Sequence, residues 1–180
     1  STQRGTKLSY LWMTFDYSIK SKIIIDMTEY IERLLNDAPQ DMTGEAATPA
    51  GVHLFIIIPD AEKLNDIFHI FTAKLLFLCK RSRPDIQTAV AFLTTRVKSP
   101  DTDDQKKLVR VIKYLRHTKS LNLTLQSSKT GIIKWFIDGS FGVHPDMRIH
   151  IDATATKGKE SFYHSSTKQT LNTTSSTEAC

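Results

Sequence analysis

Cysteine is nearly missing from this chain: there are two in 180 residues, Cys79 inside an apolar run and Cys180 at the last position. Two thiols so placed exclude a disulfide-stapled scaffold, belong to no metal-spaced cluster and point to a reducing compartment. Long apolar runs are missing too. The longest, from Ile67 to Cys79, is interrupted by His69, Thr72 and Lys74, so no membrane span is expected. Ser1 to Lys7 lacks the basic-then-apolar plan of a secretory leader. No internal repeat or long low-complexity tract occurs, although Thr173 to Thr177 is locally rich in Ser and Thr. Met is missing from position 1 and Cys180 falls inside a predicted helix start, so the chain is expected to be a piece of a longer one.

What is there belongs to a chain that folds. With 40% hydrophobic and 24% charged residues it can bury one good core or two small ones. Twenty-four Lys and Arg against 19 Asp and Glu give a net charge of +5. That balance favours polyanionic partners such as nucleic acid, and it equally suits many ordinary soluble domains.

The pattern along the chain reads as α+β. Tyr10 to Asp16 alternates loosely and Ile23 to Ile25 follows a polar break, which predicts a β-hairpin. Thr28 is placed to cap a short helix over Glu29 to Asn36, and the Pro- and Gly-bearing stretch from Asp37 to Asp60 has the composition of a surface loop. Three helices are predicted next. Asn65 to Lys80 is apolar almost all round, as for a central helix covered by its neighbours, and Arg83 to Val97 starts with Pro84 near its first position. Asp101 to His117 has acids at its start, bases at its end and an inner face of Leu108, Ile112 and Leu115. Its opposite face stacks Lys106, Arg110 and Lys113 at i, i+4 and i+7: a solvated helix face, or, beside a duplex, a row of phosphate contacts. A strand over Leu121 to Gln126 precedes a turn at Ser127 to Gly131, where a domain boundary is placed. Short strands then follow at Ile132 to Asp138, Arg148 to Thr156 and Ser161 to Ser165.

Two segments carry chemistry. Trp135-Phe136-Ile137-Asp138-Gly139-Ser140 sets an acid at the end of an apolar strand, followed by small residues that expose it. A carboxylate so placed is either a plain turn residue or a ligand held ready for a divalent cation. The second runs from Lys168 to Ala179, where Ser175, Ser176 or Thr177 caps a starting helix with Glu178 in its first turn. Alone, Glu178 reads as a capping carboxylate.

Taken together the two segments resemble the opening of a copia-type retrotransposon ribonuclease H. That family has a strand ending in Asp, then Val-His-Pro-Asp-Met-Arg, a Gly-Lys-Gly turn and Lys-Gln-Lys-Leu-Asn-Thr-Lys-Ser-Ser-Thr-Glu-Ala-Glu. Here stand Val143-His144-Pro145-Asp146-Met147-Arg148 with His150, Gly158-Lys159 and the segment from Lys168 to Ala179. Upstream, Tyr10-Leu11-Trp12-Met13 resembles the Tyr-Leu-Gly-Met strand at the end of the same family's reverse transcriptase. Lys74 to Cys79, Arg83-Pro84-Asp85-Ile86 and Leu108 to Arg116 resemble the helices that follow it.

The resemblance implies residues 1–126 as the C-terminal part of a reverse transcriptase, a hairpin with thumb and connection helices. It implies 132–180 as a truncated ribonuclease H-like antiparallel β-meander. It further implies Mg²⁺ as cofactor, Asp138 and Glu178 as metal-binding catalytic acids, and Lys106, Arg110 and Lys113 beside the phosphates. The implied partners are an RNA:DNA hybrid and the rest of the polyprotein, in a cytoplasmic virus-like particle or the nucleus. The polymerase aspartates are missing, since no Tyr-x-Asp-Asp occurs. Cys180 stands where the second Glu of Thr-Glu-Ala-Glu is the favoured ligand, so the isolated chain is expected not to cleave. Trp12 replaces a Gly, Ile151-Asp152 replaces Ser-Gly, and Thr170 replaces a basic residue. A noncatalytic nucleic-acid-binding remnant or scaffold derived from such an element is the alternative.

Overall fold

A computed structural model describes residues 4–58, 61–62, 67–126, 131–144, 146–158 and 160–170, and among these residues there are seven strands and four α-helices. Strands β1 (Lys7–Tyr10), β2 (Met13–Asp16) and β3 (Lys22–Asp26) form an antiparallel meander. Its buried side presents Met13 and Ile25 to the core. The run that reads as one strand from Tyr10 is broken by a turn. Tyr10 pairs with Met13, and Leu11 and Trp12 form the two-residue loop between them at φ +47° and +66°. Two-residue hairpin loops of the I′ type need two such left-handed residues, a conformation that matches the twist of the flanking strands. Here it is imposed on two side chains that disfavour it. The Trp12 ring, where the resembled family has a Gly, turns outward and lies under the Arg33 guanidinium, 4.3 Å from the ring centroid.

Helix α1 (Thr28–Asp37) starts under a different cap from the one its sequence predicts. Asp26 Oδ1 accepts the Thr28 amide at 2.7 Å, and Thr28 is itself the first helical residue. Ile31, Leu34 and Leu35 face inward. The loop that follows runs over the surface as expected, but two apolar plugs, Met42 and Leu54, tie it to the core. Helix α2 (Ile67–Cys79) buries Phe68, Phe71, Leu75 and Leu78 at i, i+3, i+7 and i+10. It is not covered all round: Ile70 and Leu76 are exposed on its other side. The predicted third helix is two pieces, a 3₁₀ turn at Pro84–Ile86 and helix α3 (Gln87–Arg96).

Helix α4 (Thr102–His117) follows its sequence closely. Leu108, Ile112 and Leu115 are fully buried, and so is Val111. Asp101 accepts the amides of Asp103 and Asp104 at 3.0 and 2.9 Å, and its own amide donates back to Asp104 Oδ2 at 3.1 Å, a reciprocal capping box. At the other end a buried Arg83 holds the helix terminus. Its guanidinium donates to both carboxylate oxygens of Asp85 and, from Nη1, to the Thr118 carbonyl at 3.0 Å. Nη2 also donates to Thr118 Oγ1 at 2.7 Å, and Tyr114 Oη donates to Asp85 at 2.9 Å. Each nitrogen of the guanidinium therefore has an acceptor, and the charge has a carboxylate partner, the condition under which a buried guanidinium is tolerated.

Strand β4 (Leu123–Gln126) returns to the first sheet and pairs antiparallel with β3, giving the order β1-β2-β3-β4. A second sheet is an antiparallel meander of β5 (Lys134–Ser140), β6 (His150–Thr156) and β7 (Ser161–Lys168). The fold is thus α+β, as the sequence pattern predicts, with the antiparallel β-meander that the resemblance implies. Two boundaries move. β5 runs on through Gly139 and Ser140, so Asp138 sits inside the strand and the break comes at Phe141-Gly142. β7 reaches Lys168, into residues expected to be irregular. The inferred boundary at Ser127 to Gly131 lies mostly outside the described residues, as does the helix start near Ser175.

The double substitution Leu11→Asn/Trp12→Gly supplies the residues that a I′ loop prefers. It should stabilise the protein by about 1 kcal/mol after loss of the Arg33 contact, read as a higher melting temperature. A lower melting temperature would mean that the Arg33–Trp12 contact outweighs the backbone strain.

Candidate functional site

Because side chains alternate along a strand, the register of the second sheet decides what Asp138 meets. Asp138 pairs with Asp152, and Asp152 with Ser166, so two acids and a hydroxyl form one row across three strands. Asp138 lies on the edge strand and is exposed, and makes no ion pair with any described residue. Asp152 is half-buried and accepts a hydrogen bond from Thr88 Oγ1 of α3 at 3.1 Å, which turns this row toward the helical layer. Like charges directly opposite each other in a sheet repel, at a cost of about 0.2–1 kcal/mol. A hydrated divalent cation would remove that repulsion, and Mg²⁺ typically takes one or two carboxylates plus waters or substrate phosphates. Among the described residues no three His, Cys, Asp or Glu side chains converge as a metal set. Glu178, the other predicted ligand, lies outside the described residues.

One step along the same face lies a second row. His150 Nδ1 is 3.1 Å from His144 Nε2, and His150 Nε2 is 2.7 Å from Ser166 Oγ. All three side chains are buried. Phe55, from the loop after α1, and Phe92, from α3, close over the rings: Phe55 lies 5.3 Å from His144 and 5.0 Å from His150, centroid to centroid. Phe92 meets Phe55 edge-on at 5.6 Å. Burial disfavours the charged imidazole, and a second imidazole alongside disfavours it further, so both rings are held toward the neutral form; His150 can give a proton on one side of its ring and take one on the other. Burial accordingly pushes His144 down to about 4, with His150 and Lys168 adding to the effect and Asp146 opposing it. His150 is also held low by burial, against the pull of Asp152. The row seats the second sheet on α3, and so sets the height of Asp152 and Asp138 above the helices.

The basic stripe of α4 is only partly free. Arg110 donates from Nε to the Thr48 carbonyl at 3.2 Å and from Nη2 to Thr48 Oγ1 at 2.8 Å. Lys113 packs its chain end against Gly44, whose φ is +93° and where a Cβ would meet Lys113 Cε at 3.6 Å. Two of the three predicted phosphate contacts therefore hold down the 44–56 loop. Lys106 stays exposed, beside a shallow groove of about 200 Å³ that it shares with Arg110 and Pro49. The adjacent acids are structural. Arg96 pairs with Asp101 at 3.0 Å and with Asp104 at 2.9 Å. Burial would raise the Asp101 carboxyl, but the amides of Asp104 and Asp103 and the Arg96 charge carry it down, whereas for Asp104 burial wins and the direction is up.

Sequence reading finds Asp138 but treats Asp152 only as a departure from a motif. The signal for it is the pairing register of two strands joined by a nine-residue loop, which periodicity alone does not supply. His144 and His150 are visible as motif residues, while their closure on Ser166 depends on the same register. No protein family, curated protein or solved structure matches the chain.

The two depressed imidazoles set a sign for pH dependence. Their contribution is complete above the unfolded value near 6.5 and is lost as pH falls toward the folded value, because the unfolded chain takes up the protons first. From about pH 7 to about pH 5 the wild type should lose on the order of 2 kcal/mol relative to His144→Gln, measured by urea denaturation. Parallel pH profiles for the two proteins would contradict a neutral buried row.

Proposed function

We propose that the chain is part of a copia-type retrotransposon reverse transcriptase–ribonuclease H polyprotein. In it, the helical part would help grip an RNA:DNA hybrid, and the second sheet would present Asp138 to Mg²⁺. The observation that supports this most is the exposed Asp138 on the first strand of an antiparallel meander, with Asp152 directly opposite. Asp138 and Asp152 would hold the cation between them, and Thr88 would keep Asp152 turned toward it. A bound divalent cation supplies an activated water and charge stabilisation at the leaving 3′ oxygen. Lys106, exposed on α4, is the stripe residue left to meet phosphates.

A second reading is a noncatalytic nucleic-acid-binding remnant or scaffold. Cleavage with two cations takes several carboxylates, and the row presents two among the described residues. Both readings include hybrid binding that weakens with salt. They differ in what the acid pair does. No helix among the described residues is long and apolar enough to cross a membrane.

Titrating Mg²⁺ into the isotope-labelled protein should shift the amide resonances of Asp138 and Asp152, and Asp138→Asn should abolish the shift. Without Mg²⁺ the same variant should be more stable by about 0.2–1 kcal/mol, since it removes the like-charge pair. Hybrid binding without cleavage is expected of the isolated chain. Mg²⁺ shifts that survive Asp138→Asn, or no hybrid binding at low salt, would overturn the proposal.

A further inference from the structure

Away from the acid row, the turn between β2 and β3 and the end of β4 meet the turn between β6 and β7 around a groove of about 450 Å³. Its lining combines exposed aromatic rings with unpaired lysines. Tyr17 and Phe162, both with about half their surface open to solvent (44% and 50%), stand on the two sides of the groove. Among the described residues Lys20, Lys22 and Lys157 line it against one acid, Glu160, and none of the three lysines makes an ion pair with a described residue. Ile19 and Leu125 make the surface between them apolar. Exposed aromatic rings have a free π-face, and unpaired lysines a free positive charge. The ligand that satisfies both carries flat apolar rings on an anionic backbone.

We propose that this groove takes an unpaired strand of nucleic acid, with bases stacking on Tyr17 and Phe162 and phosphates lying against Lys20, Lys22 and Lys157. Duplex bases are already stacked on each other and offer no face to these rings, so the groove selects a single strand over a hybrid. The inference adds to the hybrid-binding reading above, from which it is separable: the acid row and Lys106 lie elsewhere on the molecule. Charge excess alone would attract any polyanion, and it is the two rings that narrow the partner to one with exposed bases.

The test is fluorescence anisotropy on the whole chain with labelled homopolymers of about 12 nucleotides, oligo(dT) and oligo(rU), and a hybrid duplex of the same length. The Tyr17→Ala/Phe162→Ala variant alters exposed residues only, and circular dichroism confirms that it is folded. It should bind single strands at least about 5-fold and up to 150-fold more weakly per lost stacking contact, and the hybrid unchanged. Lys20→Gln/Lys157→Gln should reduce the slope of log K against log salt by about 1.4 on single strands. Comparing dT with rU tells DNA from RNA as the source of the strand. No single-strand binding, or binding that survives loss of both rings, overturns the groove while leaving hybrid binding to stand or fall by itself. An equal loss on hybrid and single strand overturns its selectivity. Single-strand binding without hybrid binding upholds the groove and removes the reading it adds to.

Discussion

The structure depends on a constraint at the junction of its two halves: a row of uncharged polar groups, His144, His150 and Ser166, sealed beneath Phe55 and Phe92. A three-stranded meander has too little apolar surface to stand alone, and one face must rest on something. Here the resting face is polar at its centre, and it packs because each member of the row satisfies its neighbour. The arrangement is directional. Hydrogen bonds within the row tie the β5–β6 loop, β6 and β7 to one another, while the joint to α3 is the stacking of Phe92 on His144 at 6.4 Å and the Thr88–Asp152 hydrogen bond.

The same logic recurs in the helical layer, where buried charge is matched by geometry. Arg83 links the segment before α3 to the end of α4, and Arg96 links the end of α3 to the start of α4. α3 is therefore clamped at both ends to one neighbour. A rigid α3 is what the second sheet needs as a floor. Chemistry on the exposed edge strand then inherits its position from two arginines more than ten residues apart in sequence, neither of which touches the acid pair.

How much of this was legible in the residues follows from the range of the interactions. α4 announces itself locally, through Asp101 and Asp104 at its start and Leu108, Ile112 and Leu115 along one face, and the structure keeps all of these. The α+β class and the short strands were readable from alternation and turn residues, and their order as a meander from the resemblance. The break at Leu11-Trp12 was hidden because neither residue is a turn former; the turn is forced by the pairing of Tyr10 with Met13. The pairing of β4 with β3 spans four helices and has no local sign. Asp138 was found, but at a strand end it does not occupy, and its partner Asp152 was missed, since both depend on a register set by tertiary packing. The basic stripe was read as one surface, whereas Arg110 and Lys113 are used by a loop far away in sequence.

The central claim is that the sheet is seated by neutral imidazoles. Nitrogen NMR of the ring atoms of His144 and His150 in the folded protein measures this directly. The account predicts one protonated and one bare nitrogen in each ring at neutral pH, persisting well below pH 6, with a common tautomer order running through to Ser166. Rings that protonate with the ordinary histidine midpoint while the protein stays folded would contradict it.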